Sequence, residues 1–259
     1  MMLANVFQKA RTGRAAFIPY LMAGDPDLAT TALLLAAVVK AGADCIELGI
    51  PYGDPLADGP TIAAAGARAL RQHVTIDDVL GLIKAVPIPV VLFGYYNPIL
   101  QYGLARFAAN AAAAGAKGVI VPDVALEEAE ALRDMLHESG LSMPLLVAPS
   151  TPLARAKRIA EHSTGFLYVV SRLGVTGAAS VPNFRPLESH LRELRTVTDL
   201  PLAVGFGLSS PEHVRAIARH ADGIIVGSAL IDAYHAAGPA GAAQAVERVV
   251  NALVSAAYP

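Results

Sequence analysis

The segment LATTALLLAAVVKAGADCIELG, from Leu28 to Gly49, contains the unit that decides the fold. Its first part, Leu28–Ala41, is alanine-rich and amphipathic, as expected of a helix that lies on a core. Its last part, Cys45–Gly49, is a short aliphatic run typical of a buried parallel strand. The connection from helix to strand, Ala41-Gly42-Ala43-Asp44, recurs in similar form ahead of two other aliphatic runs. The similar connections are Ala114-Gly115-Ala116-Lys117 and His220-Ala221-Asp222-Gly223. The chain therefore repeats a βα unit.

Strand patterns of this kind occur eight times, with helical patterns between them, which favours a closed α/β TIM (β/α)8 barrel over an open sheet. A chain of 259 residues with 54% hydrophobic side chains has the usual size of one such barrel. No linker divides it, so we expect a single domain over residues 1–259. The predicted strands are Ala16–Leu21, Cys45–Gly49, Val90–Gly94, Gly118–Val121, Leu145–Val147, Phe166–Val170, Leu202–Gly205 and Gly223–Val226.

The connections between strands carry helical patterns and two long loops. Pro51–Pro60 follows the second strand and Gly174–Asn183 follows the sixth, and both are rich in glycine and proline. Loops that follow barrel strands lie on the face where barrel active sites form. The predicted helices are Leu28–Ala41, Leu104–Ala114, Glu127–Glu138, Pro152–Glu161, Pro186–Thr198 and Pro211–Arg219, and the alanine cluster Ala63–Ala65 is also helical in character.

Composition excludes several classes of function. The formal net charge is −2 and no basic run is present, so nucleic acid is not an expected partner. Cys45 is the only cysteine, which leaves no disulfide framework and fits a reducing cytoplasm. Apolar runs are shorter than the roughly 18 residues that a membrane span needs, and no secretion signal is expected. The seven histidines form no pair at metal-binding spacing, and no dinucleotide fingerprint occurs, so we expect neither metal nor redox cofactor.

Two carboxylates are the candidate acid and base. Glu47 interrupts the apolar run Cys45–Ile50, and Asp58 lies in the loop that returns over the same barrel mouth. Different surroundings would let one carboxyl stay protonated while the other is charged. The alternative for Glu47 is a glutamate at the rim, paired with a lysine or arginine. For Asp54, which precedes a proline, the alternative is a turn-forming role alone.

Glycines at the ends of the last two strands predict a phosphate site. Val204-Gly205-Phe206-Gly207 ends strand seven, and Val226-Gly227-Ser228-Ala229 ends strand eight. Such loops let backbone N–H groups approach an anion, and a short helix beginning at Ser228 would direct its positive end at it. After strand six, Ser171–Gly177 has the composition of a lid over a charged substrate. Arg172 in that run either faces the substrate or is simply solvated or ion-paired.

The chain resembles the tryptophan synthase alpha subunit family from Phe17 to Ser228. The resemblance implies reversible cleavage of indole-3-glycerol phosphate to indole and glyceraldehyde 3-phosphate, a retro-aldol reaction without a cofactor. The motifs that carry it, in family order, are Ala23-Gly24-Asp25-Pro26, Glu47-Leu48-Gly49-Ile50-Pro51, Asp54-Pro55-Leu56-Ala57-Asp58-Gly59-Pro60, Gly94-Tyr95-Tyr96-Asn97-Pro98, Pro122-Asp123, Ser171-Arg172, Gly174-Val175-Thr176-Gly177 and Gly205-Phe206-Gly207.

The same resemblance assigns roles to single residues. Glu47 matches the glutamate that protonates the indole ring carbon and assists removal of the glycerol hydroxyl proton, and Asp58 matches the aspartate that holds the indole N–H. Thr176 would orient the lid and Asp58. The residues implied to line the indole and glycerol pocket are Tyr20, Phe93, Tyr95, Ile120 and Tyr168, and those implied to bind phosphate are Gly177, Phe206, Gly207, Gly227 and Ser228.

The resemblance also implies a partner, the beta subunit, in an alpha2beta2 heterotetramer, with Asp54, Pro55 and Asn97 facing it. Ala63 and Ala125 depart from common family residues near that surface. Two other functions remain open at this point. One is a stand-alone indole-3-glycerol phosphate lyase that releases free indole, and the other is a non-catalytic paralogue that only regulates a partner. Intact Glu47 and Asp58 argue against the second.

Overall fold

Eight parallel strands form the centre of the molecule in a computed structural model that describes residues 3–8, 13–171 and 184–258. Their order in the sheet is β4-β3-β2-β1-β8-β7-β6-β5, and every pair of neighbours is parallel. The strands are β1 (Ala16–Met22), β2 (Ile46–Gly49), β3 (Val90–Phe93), β4 (Gly118–Ile120), β5 (Leu145–Val147), β6 (Leu167–Val170), β7 (Leu202–Gly205) and β8 (Gly223–Val226).

The remaining gap between β4 and β5 is bridged just ahead of β5. The N–H of Val119 donates to the carbonyl of Ser142 at 2.9 Å, and the N–H of Ser142 donates to that of Lys117 at 3.0 Å. The sheet therefore curls into a barrel, as the eight strand patterns predict. The observed strand bounds agree with the predicted ones to within one residue at each end.

Helices surround the barrel within the described residues. They are α1 (Leu28–Lys40), α2 (Pro60–Arg71), α3 (Ile76–Ile83), α4 (Tyr96–Tyr102), α5 (Leu104–Ala114), α6 (Glu130–Glu138), α7 (Leu153–His162), α8 (Arg185–Leu194), α9 (Pro211–Ala218) and α10 (Ser228–Ala256), with 3-10 turns at Leu3–Gln8 and Leu126–Glu128.

Helix predictions need correction at four places. The helix predicted over Glu127–Glu138 is divided into the 3-10 turn Leu126–Glu128 and α6, and the one predicted over Pro186–Thr198 is α8, which ends at Leu194. The short helix expected at Ser228 is the start of the long α10, which contains a kink where Gly238 has a φ of 66° ahead of Pro239. Pro60 is the first residue of α2 rather than the end of a loop, because proline fits the first helical turn. The loop over the mouth is therefore shorter than predicted.

The N-terminal end of the barrel is filled by the first 3-10 turn. A side chain at Gly223, where β8 begins, would come within 2.7 Å of the Phe7 ring, and one at Gly118, where β4 begins, within 3.3 Å of Leu3. The Phe7 and Phe166 rings lie 5.3 Å apart. This end is packed with apolar side chains, which leaves the opposite end for a site. No helix among the described residues is long and apolar enough to span a membrane.

Candidate active site

A cavity opens at the C-terminal ends of the strands. Residues paired in register across parallel strands point to the same face, as do residues two apart on one strand. Tyr20 pairs with Glu47, and Glu47 pairs with Val91, two residues before Phe93. Their side chains share the barrel interior with those of Tyr168 and Ile225. The full lining is Tyr20, Glu47, Asp58, Ile62, Phe93, Tyr168, Phe206, Gly207, Leu208, Ile225, Gly227 and Ser228. The cavity is thus apolar, with two carboxylates at one side.

Glu47 is a buried carboxyl in the wall of this cavity. It lies on β2 between Tyr20 of β1 and Val91 of β3, and it is 1% exposed. Its Oε2 atom has no hydrogen-bond partner, and no described lysine or arginine forms an ion pair with it. Burial, and then the charge of Asp58, raises the pKa of Glu47 to about 8. A rim glutamate paired with a cation does not fit these surroundings.

Asp58 lies in the loop that connects β2 to α2. The turn is closed by its own N–H, which donates to the carbonyl of Pro55 at 3.0 Å. Burial raises the pKa of Asp58 to about 6, and a hydrogen bond from the Tyr95 hydroxyl opposes that rise. Near pH 7 Asp58 is therefore mostly ionised while Glu47 is mostly protonated.

Two tyrosines complete the wall beside the carboxylates, and each depends on a glycine. A side chain at Gly49 would come within 2.2 Å of the Tyr20 hydroxyl, and one at Gly205 within 2.2 Å of the Tyr168 hydroxyl. Burial raises the pKa of both tyrosines well above the ordinary value, with Glu47 and Asp58 adding to the effect. Both hydroxyls therefore remain protonated and polar in an otherwise apolar cavity.

The ends of β7 and β8 in the cavity wall have the backbone geometry expected of an anion site. Phe206 has a φ of 66° and Gly207 one of 95°, so the chain turns sharply after β7. The Ser171 hydroxyl donates to the carbonyl of Phe206 and ties β6 to this turn. Across from it, α10 begins at Ser228, and N–H groups of a first helical turn lack partners within the helix.

Most residues with a predicted role meet in this cavity, but two do not line it. Tyr95 is turned toward the Asp58 loop, where its hydroxyl accepts the N–H of Ala57 at 3.1 Å. Ile120 pairs in register with Phe93 but is fully buried and is not among the lining residues. Thr176 and Gly177, like Arg172, lie outside the described residues.

Of the residues expected to face a partner, Asp54 and Asn97 are exposed and Pro55 is half-buried. The sequence patterns do not indicate Ile62, Leu208 and Ile225, which also line the cavity. The alternation of β8 could have identified Ile225, since it lies two residues before Gly227. No group of three or more histidine, cysteine, aspartate or glutamate side chains that could hold a metal ion occurs within the described parts of the chain.

Comparison with known proteins agrees with this geometry. The sequence profile described as "Tryptophan synthase alpha chain" matches residues 7–257. The chain belongs to the tryptophan synthase alpha chain family. Members of this family are carbon–carbon lyases of tryptophan biosynthesis that cleave indole-3-glycerol phosphate, and this chain is such an enzyme.

Individual tryptophan synthase alpha chains are similar over most of their length. That of Rippkaea orientalis is 49% identical over 235 residues, which cover 88% of this chain and 88% of that protein. That of Arabidopsis thaliana is 44% identical over 235 residues, covering 88% and 85%. A chain of the Mycobacterium tuberculosis tryptophan synthase structure, 37% identical, superposes with a TM-score of 0.91 and covers 99% of this chain and 98% of that one.

Proposed function

We propose that Glu47 and Asp58 together cleave indole-3-glycerol phosphate to indole and glyceraldehyde 3-phosphate in this cavity. The observation that carries the proposal is their difference in protonation within one apolar pocket, with pKa values raised to about 8 and about 6. A protonated carboxyl can donate a proton to the substrate while a carboxylate stabilises the positive charge that results.

The reaction proceeds in two proton transfers. Glu47 donates its proton to the ring carbon that bears the glycerol chain, and the positive charge that forms on the ring nitrogen is stabilised by Asp58, which accepts the indole N–H. The Glu47 carboxylate then takes the proton of the glycerol hydroxyl. The carbon–carbon bond breaks, its electron pair returns to the ring as indole leaves, and the carbonyl of glyceraldehyde 3-phosphate forms. Glu47 is protonated again at the end.

The phosphate of the substrate binds at the ends of β7 and β8, where the chain turns into the cavity wall. Backbone N–H groups of Gly207, Gly227 and Ser228 face it, and the first turn of α10 adds its positive end. The ring packs against Tyr20 and Phe93, whose edge-to-face contact has a centroid distance of 5.8 Å. The family motifs imply that Phe206 and Gly177 also bind the phosphate and that Thr176 orients the lid and Asp58.

A beta subunit is the partner that the exposed surface supports, as part of a heterotetramer in the cytoplasm. Leu56 is 80% exposed in the Asp58 loop and Leu100 is 45% exposed on α4. These leucines lie beside Asp54 and Asn97, and apolar groups among polar ones are typical of an interface. Tyr95 joins the two segments, because its hydroxyl accepts the N–H of Ala57 next to Asp58.

The test of the function is indole formation from indole-3-glycerol phosphate by the purified chain, with and without a beta subunit. We expect slow indole release alone and faster release with the partner, because the partner holds the Asp58 loop. Full activity alone, unchanged by a beta subunit, would favour the stand-alone lyase. No indole under either condition would favour the regulatory paralogue.

The same assay tests the partner surface. A Leu56→Asp variant places a charge at the most exposed large apolar side chain of the described residues and should lose most of the activation by the beta subunit while keeping the activity of the free chain. Leu33→Asp, at a 59% exposed leucine on α1, is the matched control and should keep the activation. Equal activation of both variants would move the interface away from Leu56.

A further inference from the structure

The motif Ala23-Gly24-Asp25-Pro26 has no part in the chemistry above, yet its aspartate is the centre of a buried polar cluster. Asp25 is fully buried. Nε and Nη2 of Arg68 donate to its two carboxylate oxygens at 2.7 and 2.8 Å. The hydroxyl of Tyr234 donates to the same carboxylate. We name Asp25, Arg68 and Tyr234 the Asp25 cluster.

The Asp25 cluster joins three elements that carry the site. Asp25 follows β1, which contributes Tyr20 to the cavity. Arg68 lies on α2, which begins directly after the Asp58 loop and whose first turn contributes Ile62. Tyr234 lies on α10, which begins at the predicted phosphate site. The cluster thus connects the strand that carries Tyr20, the helix that follows the Asp58 loop and the helix that begins at the phosphate end.

The ion pair between Arg68 and Asp25 is fixed in both distance and angle. A guanidinium that donates two parallel bonds to one carboxylate fixes the orientation of both groups. The hydrogen bond with Asp25 raises the pKa of Arg68, and burial followed by Asp25 raises that of Tyr234. Both donors therefore keep their protons over the whole range in which the enzyme works.

We propose that the Asp25 cluster positions α2, and with it Asp58 and Ile62, relative to the phosphate end of the cavity. This inference rests on the proposed roles of Asp58 and the phosphate site. The helix α2 packs mainly on α10 and β1, whereas α10 also packs on α1 and α9. Loss of the cluster should therefore displace α2 more than α10. Asp25, Arg68 and Tyr234 are positioning residues, since none of them lines the cavity.

A second buried ion pair supplies the control for a purely structural role. Nη2 of Arg14 lies 2.6 Å from Oδ1 of Asp44, and both side chains are almost fully buried. This pair lies ahead of β1 and β2, at the packed end of the barrel opposite the cavity. Removing either arginine takes a paired cation away from a buried aspartate, which destabilises a protein wherever it occurs.

The experiment compares Arg68→Met with Arg14→Met at a temperature where both are folded, using indole formation from indole-3-glycerol phosphate. Arg68→Met should lower kcat by about tenfold to a hundredfold, since a catalytic group displaced by about 1 Å loses that much rate. Its affinity for glycerol phosphate should change by less than about threefold, because α10 keeps its place. Arg14→Met should keep kcat within about twofold despite a lower melting temperature. Arg68→Lys, which keeps the charge but cannot make both parallel bonds, should restore only part of the rate.

A readout without substrate is hydrogen exchange of the amides of residues 51–59, which should become faster in Arg68→Met but not in Arg14→Met. If Arg68→Met does not fold, Tyr234→Phe keeps the ion pair, removes one hydrogen bond and should lower kcat by roughly threefold to tenfold. Unchanged kcat and exchange in the folded variants, or equal losses in Arg14→Met, would overturn the proposal. Wild-type protein that forms no indole would instead contradict the proposed function, while the exchange result would still test the cluster.

Discussion

At the scale of single residues, Glu47 and Asp58 differ in burial, and that difference sets which of them carries a proton. Glu47 is 1% exposed with one oxygen unpartnered, whereas Asp58 is half-buried and receives a hydrogen bond from Tyr95. An unpartnered carboxyl in an apolar wall is unfavourable as an anion, so it holds its proton until a substrate takes it. The site therefore holds a protonated carboxyl, that of Glu47, beside a charged one, that of Asp58.

The first prediction concerns pH. Asp58 must be charged and Glu47 protonated in the free enzyme, so kcat/KM should rise as the pH passes about 6 and fall as it passes about 8. The measurement is a pH profile of indole formation. Glycerol phosphate affinity over the same range separates the titration of the substrate phosphate from that of Asp58. A profile flat from pH 5 to 9 would contradict the assignment, with those limits set about one unit outside the two pKa values.

The second prediction concerns the close approach of Gly49 to Tyr20. A methyl group there would lie 2.2 Å from the Tyr20 hydroxyl and must displace the ring from its place in the cavity wall. Gly49→Ala should therefore lower kcat/KM by at least about tenfold. Gly81→Ala on α3, where a methyl group meets nothing within 4 Å, is the control and should keep full activity. Equal activity of the two variants would show that Tyr20 has room to move.

At the scale of elements, the strands were predictable and several helices were not. Parallel strands buried on both faces appear in sequence as continuous aliphatic runs, which is why all eight were found. The helices α2, α3 and α4 were missed or only partly foreseen, because α2 contains a proline and a glycine and the other two are eight and seven residues long. Ile62 was missed for the same reason.

Site residues on strands are likewise predictable from the sequence, and those beyond the strand ends are not. Tyr20, Glu47 and Tyr168 lie on strands, where alternation fixes the direction of each side chain, and all three line the cavity. Tyr95 comes two residues after Phe93 but beyond the end of β3, where alternation no longer holds, and it contacts the Asp58 loop instead. The resemblance implies a role for Tyr95 in the pocket, whereas the fold directs its side chain to the Asp58 loop.

The third prediction tests the first turn of α10. A side chain at Gly227 would lie 3.1 Å from the Tyr20 ring, and an aspartate there would add a charge that repels phosphate. Glycerol phosphate should raise the melting temperature of the wild type by mass action and leave that of Gly227→Asp unchanged. Gly227→Ala, which adds bulk without charge, should keep part of the shift. The same shift in all three proteins would place the anion elsewhere.

At the scale of the whole molecule, the barrel has one packed end and one open end. Phe7 and Leu3 fill the end where the strands begin, and the Arg14–Asp44 pair lies there too. The opposite end holds the two carboxylates, the glycine turns and the exposed leucines of the proposed interface. Stability and chemistry thus reside at different ends of the same strands, which is the usual division in this fold.

Because the carboxylates lie at the open end of the barrel, we expect that Glu47 can be substituted without loss of the fold. Because the pKa of Glu47 is raised on folding from 4.5 to about 8, the wild type loses stability as the pH rises through that interval. Glu47→Gln keeps the shape and cannot ionise. It should therefore melt at a higher temperature than the wild type at pH 8 and above, with a smaller difference near pH 5, where both side chains are neutral.

The central claim is that Glu47 and Asp58 carry the cleavage, and its most direct test is the rate of indole release from indole-3-glycerol phosphate by the wild type, Glu47→Gln and Asp58→Asn, each shown to be folded. Both substitutions keep the size of the side chain and remove its proton transfer or charge. The account predicts that each variant retains less than about a hundredth of the wild-type kcat, in keeping with a positioned acid or base. A folded variant that keeps more than about a tenth of it would contradict the claim for that residue.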